Sequence, residues 1–141
     1  MFSRLVAELR ERSATAPHSA QMFGEFEEAL FDLRHGRTQT RLKACLSRQF
    51  HLLEALGRQC PGVDGQTLGE ICNQLQWPHV TIKEIGRKLS GFRNDFPGIA
   101  HAGNAAAPNL TTKDYVSISL MLASISPYFL ADLDGEKCYG G

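Results

Sequence analysis

The chain has 141 residues, with 15 lysines and arginines against 15 aspartates and glutamates and a formal net charge of zero. That length fits one domain spanning residues 1–141, able to bury about two-thirds of its unfolded surface, and 43% hydrophobic with 21% charged residues excludes global disorder. Neutrality argues against a polyanionic partner only until the charges are placed. Residues 1–32 carry three basic and six acidic side chains, residues 33–93 ten against four, and residues 94–141 two against five. The basic middle is where a polyanion would dock, provided the fold gathers those charges on one face.

The apolar spacing is helical almost throughout. Phe2, Leu5, Val6 and Leu9 make a first stripe, broken at Thr15-Ala16-Pro17. Met22, Phe23, Phe26, Leu30 and Leu33 make a second, ending near Gly36. Leu42, Cys45, Leu46, Phe50, Leu53 and Leu56 make a third, closed by Gly57 and Cys60-Pro61-Gly62. Three later segments open with a threonine followed three places on by an acid: Thr67 with Glu70, Thr81 with Glu84, and Thr111 with Asp114. Such a hydroxyl satisfies an orphan helix N–H while the acid returns the bond or favours the positive helix end. No sustained alternation and no hairpin signal argues for strands; Asp64-Gly65 and Asp134-Gly135 read as loops. The expected fold is therefore all-α, an antiparallel bundle of five or six helices. The last of them, from about Thr112 to Leu133, is apolar on most sides and belongs in a core or a subunit interface. Pro127 should kink it or end its regular part.

The four cysteines (Cys45, Cys60, Cys72, Cys138) include no CxxC pair and no histidine at ligand spacing, which argues against structural zinc. Without a secretory leader the expectation is reduced thiols, most of them core fillers, in a cytoplasmic protein. The apolar run Tyr115–Ile125 is interrupted by serines and too short for a bilayer span, so no membrane partner is expected.

One position breaks the amphipathic pattern of the segment Thr81–Phe96. At about 100° per residue, Ile85, Leu89, Phe92 and Phe96 fall on the side of Ile82, whereas Lys83, Glu84, Arg87, Lys88, Asn94 and Asp95 take the opposite arc. Arg93 lands about 20° from Ile82, on the apolar stripe. An unpaired guanidinium there is expensive, so Arg93 needs a partner or a cleft. Glu27, Glu28 and Asp32 of the second helix are the acids considered for a structural ion pair. The following loop, with Gly98 and Gly103, brings back His101 at a sequence distance compatible with the same cleft. An arginine offers phosphate a planar fork of donors, and a histidine can exchange a proton with a ribose 2′-OH or a leaving 5′-oxygen. In the alternative, His101 is a solvated loop residue.

The stretch Glu84-Ile85-Gly86-Arg87-Lys88-Leu89-Ser90-Gly91-Phe92-Arg93-Asn94-Asp95, followed by Pro97-Gly98-Ile99-Ala100-His101-Ala102-Gly103-Asn104, resembles the core of HEPN-type proteins. It is most similar to the C-terminal domain of bacterial abortive-infection proteins, and the resemblance runs from about residue 80 to 132. It implies an all-α bundle, commonly dimeric, and a metal-independent endoribonuclease of a phage-defence or toxin–antitoxin system, with no cofactor. By position, Arg93 would hold the scissile phosphate, His101 would be the general acid or base, and Asn94 would orient the histidine or the phosphate. Seven residues separate arginine from histidine here, more than the family pattern usually has, and Pro97 and Gly98 are where the extra length would be absorbed. Inactive members of the group act as binding modules, so a non-catalytic helical module for RNA or a protein partner is the alternative.

The remaining polar residues are placed by spacing. The run Arg34–Arg48 holds five cations and no acid. It is either a solvated helix face or an electrostatic track for RNA, in which Arg37, Arg41, Lys43 and Arg48 would act with Arg87 and Lys88. Glu25, Glu27, Glu28 and Asp32 would repel RNA or pair with that track and cancel it. His79 reads as a loop residue beside Trp77, His51 as surface, and His18 and His35 as helix-boundary residues. The expected partners are RNA, a second copy of the chain, and an antitoxin or defence-system protein.

Overall fold

A computed structural model describes residues 2–96, 109–131 and 133. All regular structure among them is helical: α1 (Phe2–Ser13), α2 (Pro17–Asp32), α3 (Gln39–Gly57), α4 (Leu68–Gln74), α5 (Val80–Asp95) and α6 (Thr112–Ile125). Short 3-10 turns at Leu33–His35 and Ser126–Phe129 extend α2 and α6.

The helix starts follow local chemistry. Pro17 opens α2, where its missing N–H costs nothing. The Thr38 hydroxyl caps α3 by accepting from the Arg41 N–H at 3.3 Å. Thr67 with Glu70, and Thr111 with Asp114, form complete capping boxes at α4 and α6. The third expected cap is absent: α5 begins at Val80, and its N-cap residue His79 makes no side-chain cap bond. Thr81 lies inside the first turn, so its hydroxyl is past the orphan N–H groups it was expected to satisfy.

The long apolar C-terminal helix expected over 112–133 does not form. α6 is 14 residues long and stops at Ile125. Pro127 then sits in a 3-10 turn whose last residue, Phe129, is fully buried. Proline removes a helical hydrogen bond and blocks the preceding turn, and burial of Phe129 against α3 fixes the chain in its new direction. No helix among the described residues is long and apolar enough to cross a membrane.

α3 is the central element and packs against α2, α4, α6 and the Ser126–Phe129 turn. Leu42, Leu46 and Phe50 on α3 meet Leu68 and Ile71 on α4 and Leu122 on α6 in one core. Each large side chain so buried contributes roughly 1.5–3 kcal/mol before entropy is counted. The closest approach is at Gly57. A methyl group there would stand 2.6 Å from Ile71 Cγ2 and 2.9 Å from Phe129 Cδ1, so glycine lets α4 and the 3-10 turn close on the end of α3. Cys45, Cys60 and Cys72 are buried, as core fillers should be; Cys138 lies outside the described residues. Burial pushes the Cys72 thiol up to about 11. Cys45 and Tyr115 share a 3.3 Å hydrogen bond between α3 and α6.

Candidate functional site

Arg93 stands on the last turn of α5 with only 14% of its side chain exposed, which matches its place on the apolar stripe. Its partner is none of the three α2 acids considered, Glu27, Glu28 and Asp32. Nη1 donates to Glu54 Oε1 on α3, and the Glu54 side chain is 8% exposed. The guanidinium carbon also lies 5.7 Å from the Phe50 ring centroid, one helical turn before Glu54. Glu27 is instead taken by Arg10 of α1 at 2.8 Å.

Glu54 has a second task. Its Oε1 accepts the backbone N–H of Leu68 at 3.1 Å, one of the orphan donors at the start of α4. One carboxylate therefore joins α3 to the start of α4 and the end of α5. A buried charge is tolerable when an opposite charge and a backbone donor both address it, and a carboxylate at a helix N-terminus is further favoured by the helix dipole.

His51 lies one turn before Glu54 on α3 and is half-buried, not at the surface as its spacing suggested. Desolvation holds its imidazole below the ordinary histidine range. The Arg93 and Arg48 charges act in the same direction, and those of Glu54 and Glu25 oppose them. Sequence reasoning missed both Glu54 and His51 as neighbours of Arg93. A signal existed for the first: Glu54 is the one carboxylate of α3, set inside Leu52-Leu53-Glu54-Ala55-Leu56, where a lone acid needs a cation.

The other expected residues are spread out. Asn94 is exposed, and His101 lies outside the described residues. Arg41 and Arg48 share one face of α3, seven positions apart, with Lys43 on another side. Arg48 is paired with Glu25 at 2.9 Å, so at that point the acidic helix does neutralise the basic one. Arg87 pairs with Glu84 at 3.1 Å on α5, and Lys88 beside it is exposed. Arg37 is exposed just past the end of α2, in a cleft it shares with Thr112 of α6. His79 is the exposed N-cap of α5, while the Trp77 indole donates to the Cys72 carbonyl at 2.7 Å and stacks near Tyr128.

Comparison with protein-family models, with curated proteins and with solved structures returns no match.

Proposed function

We propose that this chain is a HEPN-like, metal-independent endoribonuclease of a bacterial phage-defence or toxin–antitoxin system. In this reading the bound RNA supplies its own nucleophile. The 2′-oxygen attacks phosphorus, the bond to the 5′-oxygen breaks, and the strand ends in a cyclic phosphate. A proton leaves the 2′-OH and one arrives on the 5′-oxygen; His101 serves as the base or the acid for one of these transfers. Arg93 holds the phosphate oxygens as their charge grows, and Asn94 orients the histidine or the phosphate.

The observation that carries the reading is the inward-facing guanidinium at the end of α5, immediately before the segment with His101. Only its Nη1 is engaged among the described residues, so Nε and Nη2 keep donors for an anion while Glu54 fixes the plane. The rest of the reading is an antiparallel bundle working in the cytoplasm, dimeric through outward side chains of α6 such as Val116, Leu120 and Met121, and restrained by an antitoxin or another defence-system protein.

The Glu54–Arg93 pair also favours the second reading. If the two charges do no more than tie α3 to α5, the chain is a non-catalytic module of the same fold, binding RNA or a protein. Incubation with RNA in the presence of a chelator separates the two. Arg93→Lys retains the charge for Glu54 but loses the fork, and His101→Ala removes the proton carrier. Cleavage by the wild type that falls at least tenfold in both variants supports the enzyme. Cleavage that persists in both removes this site, and a wild type with no activity supports the module.

A further inference from the structure

The turn that follows α2 holds an arrangement that Arg93 chemistry leaves unused. Phe31 is 58% exposed, and the Arg34 guanidinium carbon lies 4.5 Å from its ring centroid. Arg34, Gly36 and Arg37 line an open cleft of about 490 Å³ against Thr112, the first residue of α6. The cleft continues over an apolar floor that includes Leu30, Leu42 and Val116. Gly36 has φ 137°, a conformation that side chains rarely adopt, and a methyl on it would meet Arg41 Nη1 at 3.0 Å. The bare backbone at this turn is what lets the third guanidinium lie beside it.

The arginines of this corner lack carboxylate partners among the described residues. Arg10, Arg48, Arg87 and Arg93 each have a carboxylate partner, whereas Arg34, Arg37 and Arg41 form no ion pair among the described residues. The carboxylate of Asp114, on the same turn of α6, is engaged by Thr111. Three guanidiniums gathered around one turn repel one another and attract an anion. The exposed Phe31 ring touches Arg34 and lines a neighbouring cleft with Glu28 and Asp32; it adds what a simple anion does not need, a flat apolar face on which a base can stack.

We propose that the Arg34–Arg37 cleft and the Phe31 ring beside it together seat one nucleotide step of single-stranded RNA, the phosphate on Arg34 and Arg37 with Arg41 behind them, and the adjoining base on Phe31, with Arg34 bridging the two. The proposal rests on RNA as the partner, as in the preceding reading, and adds where the strand lies. It requires an unpaired strand, because bases in a duplex have no free face.

The test uses the full chain carrying His101→Ala, so that binding is read without cleavage, and a fluorescein-labelled single-stranded oligoribonucleotide of mixed sequence followed by anisotropy. Added Phe31→Ala should weaken binding about tenfold or more, and Phe31→Trp should retain it. The double change Arg34→Gln with Arg37→Gln should weaken it and lower the slope of log affinity against log salt by about 0.7 per lost phosphate contact. Phe31, Arg34 and Arg37 are exposed, so these variants keep the fold, which circular dichroism verifies. A parent that binds RNA equally well with and without these substitutions overturns the cleft and leaves the ribonuclease reading standing. A parent that binds no RNA overturns both. Displacement of the RNA by polyglutamate, with Phe31→Ala binding as the parent does, marks an anion site without stacking and also overturns the proposal. Binding as expected, together with a wild type that cleaves nothing, retains the cleft and removes the ribonuclease.

Discussion

The Arg93 guanidinium on α5 and the Glu54 carboxylate on α3 form an ion pair across 39 sequence positions, and the same carboxylate oxygen holds the Leu68 N–H at the head of α4. Removing one member leaves the other buried without its partner, which typically costs about 3–5 kcal/mol. Glu54→Gln and Arg93→Met should each lower stability by that order in urea unfolding. The double variant should be less unstable than the sum, since neither charge is then stranded. A coupling near zero in that cycle would mean that the pair contributes nothing to the fold.

His51 gives this region a pH dependence. Its imidazole is held below the ordinary range of about 6.5 in the folded chain, chiefly by burial. The unfolded chain then binds its proton first as pH falls. Stability is therefore full above about pH 6.5 and declines through the interval beneath it, down to the depressed folded value. His51→Gln should flatten the curve of unfolding free energy between pH 7 and pH 5. Parallel curves for wild type and His51→Gln would show that the imidazole titrates as freely folded as unfolded.

Gly57 should be intolerant of even one methyl group. Contacts of 2.6 Å and 2.9 Å with the Ile71 and Phe129 side chains require these packed groups to shift. Overpacking of this kind costs about 1–3 kcal/mol, so Gly57→Ala should lower the denaturation midpoint. Gly24→Ala, where an added methyl meets nothing within 4 Å, should be neutral or stabilising by contrast.

The threonine caps supply a graded comparison. Thr67→Ala and Thr111→Ala each delete a hydroxyl that accepts a first-turn N–H and should cost about 1 kcal/mol. Thr81→Ala removes no cap and should change stability by less than about 0.5 kcal/mol. Equal losses in all three would place a cap where α5 shows none.

What the sequence makes legible follows from the range of the forces involved. Helix existence, the breaks at Pro17 and Gly57, and two of three caps depend on neighbours a few residues apart, so spacing and residue type reveal them. The premature end of α6 was half legible: Pro127 marks the place, but the burial of Phe129 that redirects the chain is a tertiary contact. The partner of Arg93 was not legible from helical spacing. The wheel shows that the guanidinium faces inward, yet which acid meets it depends on how α5 lies against α3. The exposed Phe31 was within reach of helical spacing, since it falls outside the stripe of Met22, Phe23, Phe26, Leu30 and Leu33.

Trp77 is the one tryptophan in the chain. Its indole bonds to the Cys72 carbonyl, stacks 5.2 Å from Tyr128 and 6.0 Å from Phe129, and roofs over Gly86 of α5. A single indole at that junction, excited selectively at the red edge of the protein absorption, turns the protein into its own optical gauge. Its emission reports on the meeting of α4, α5 and the Ser126–Phe129 turn, and on α1 and α2 only through their coupling to it. Unfolding followed by fluorescence and by circular dichroism therefore compares one corner of the molecule with the whole. The difference between the two curves measures how far the corner around Trp77 melts together with the rest.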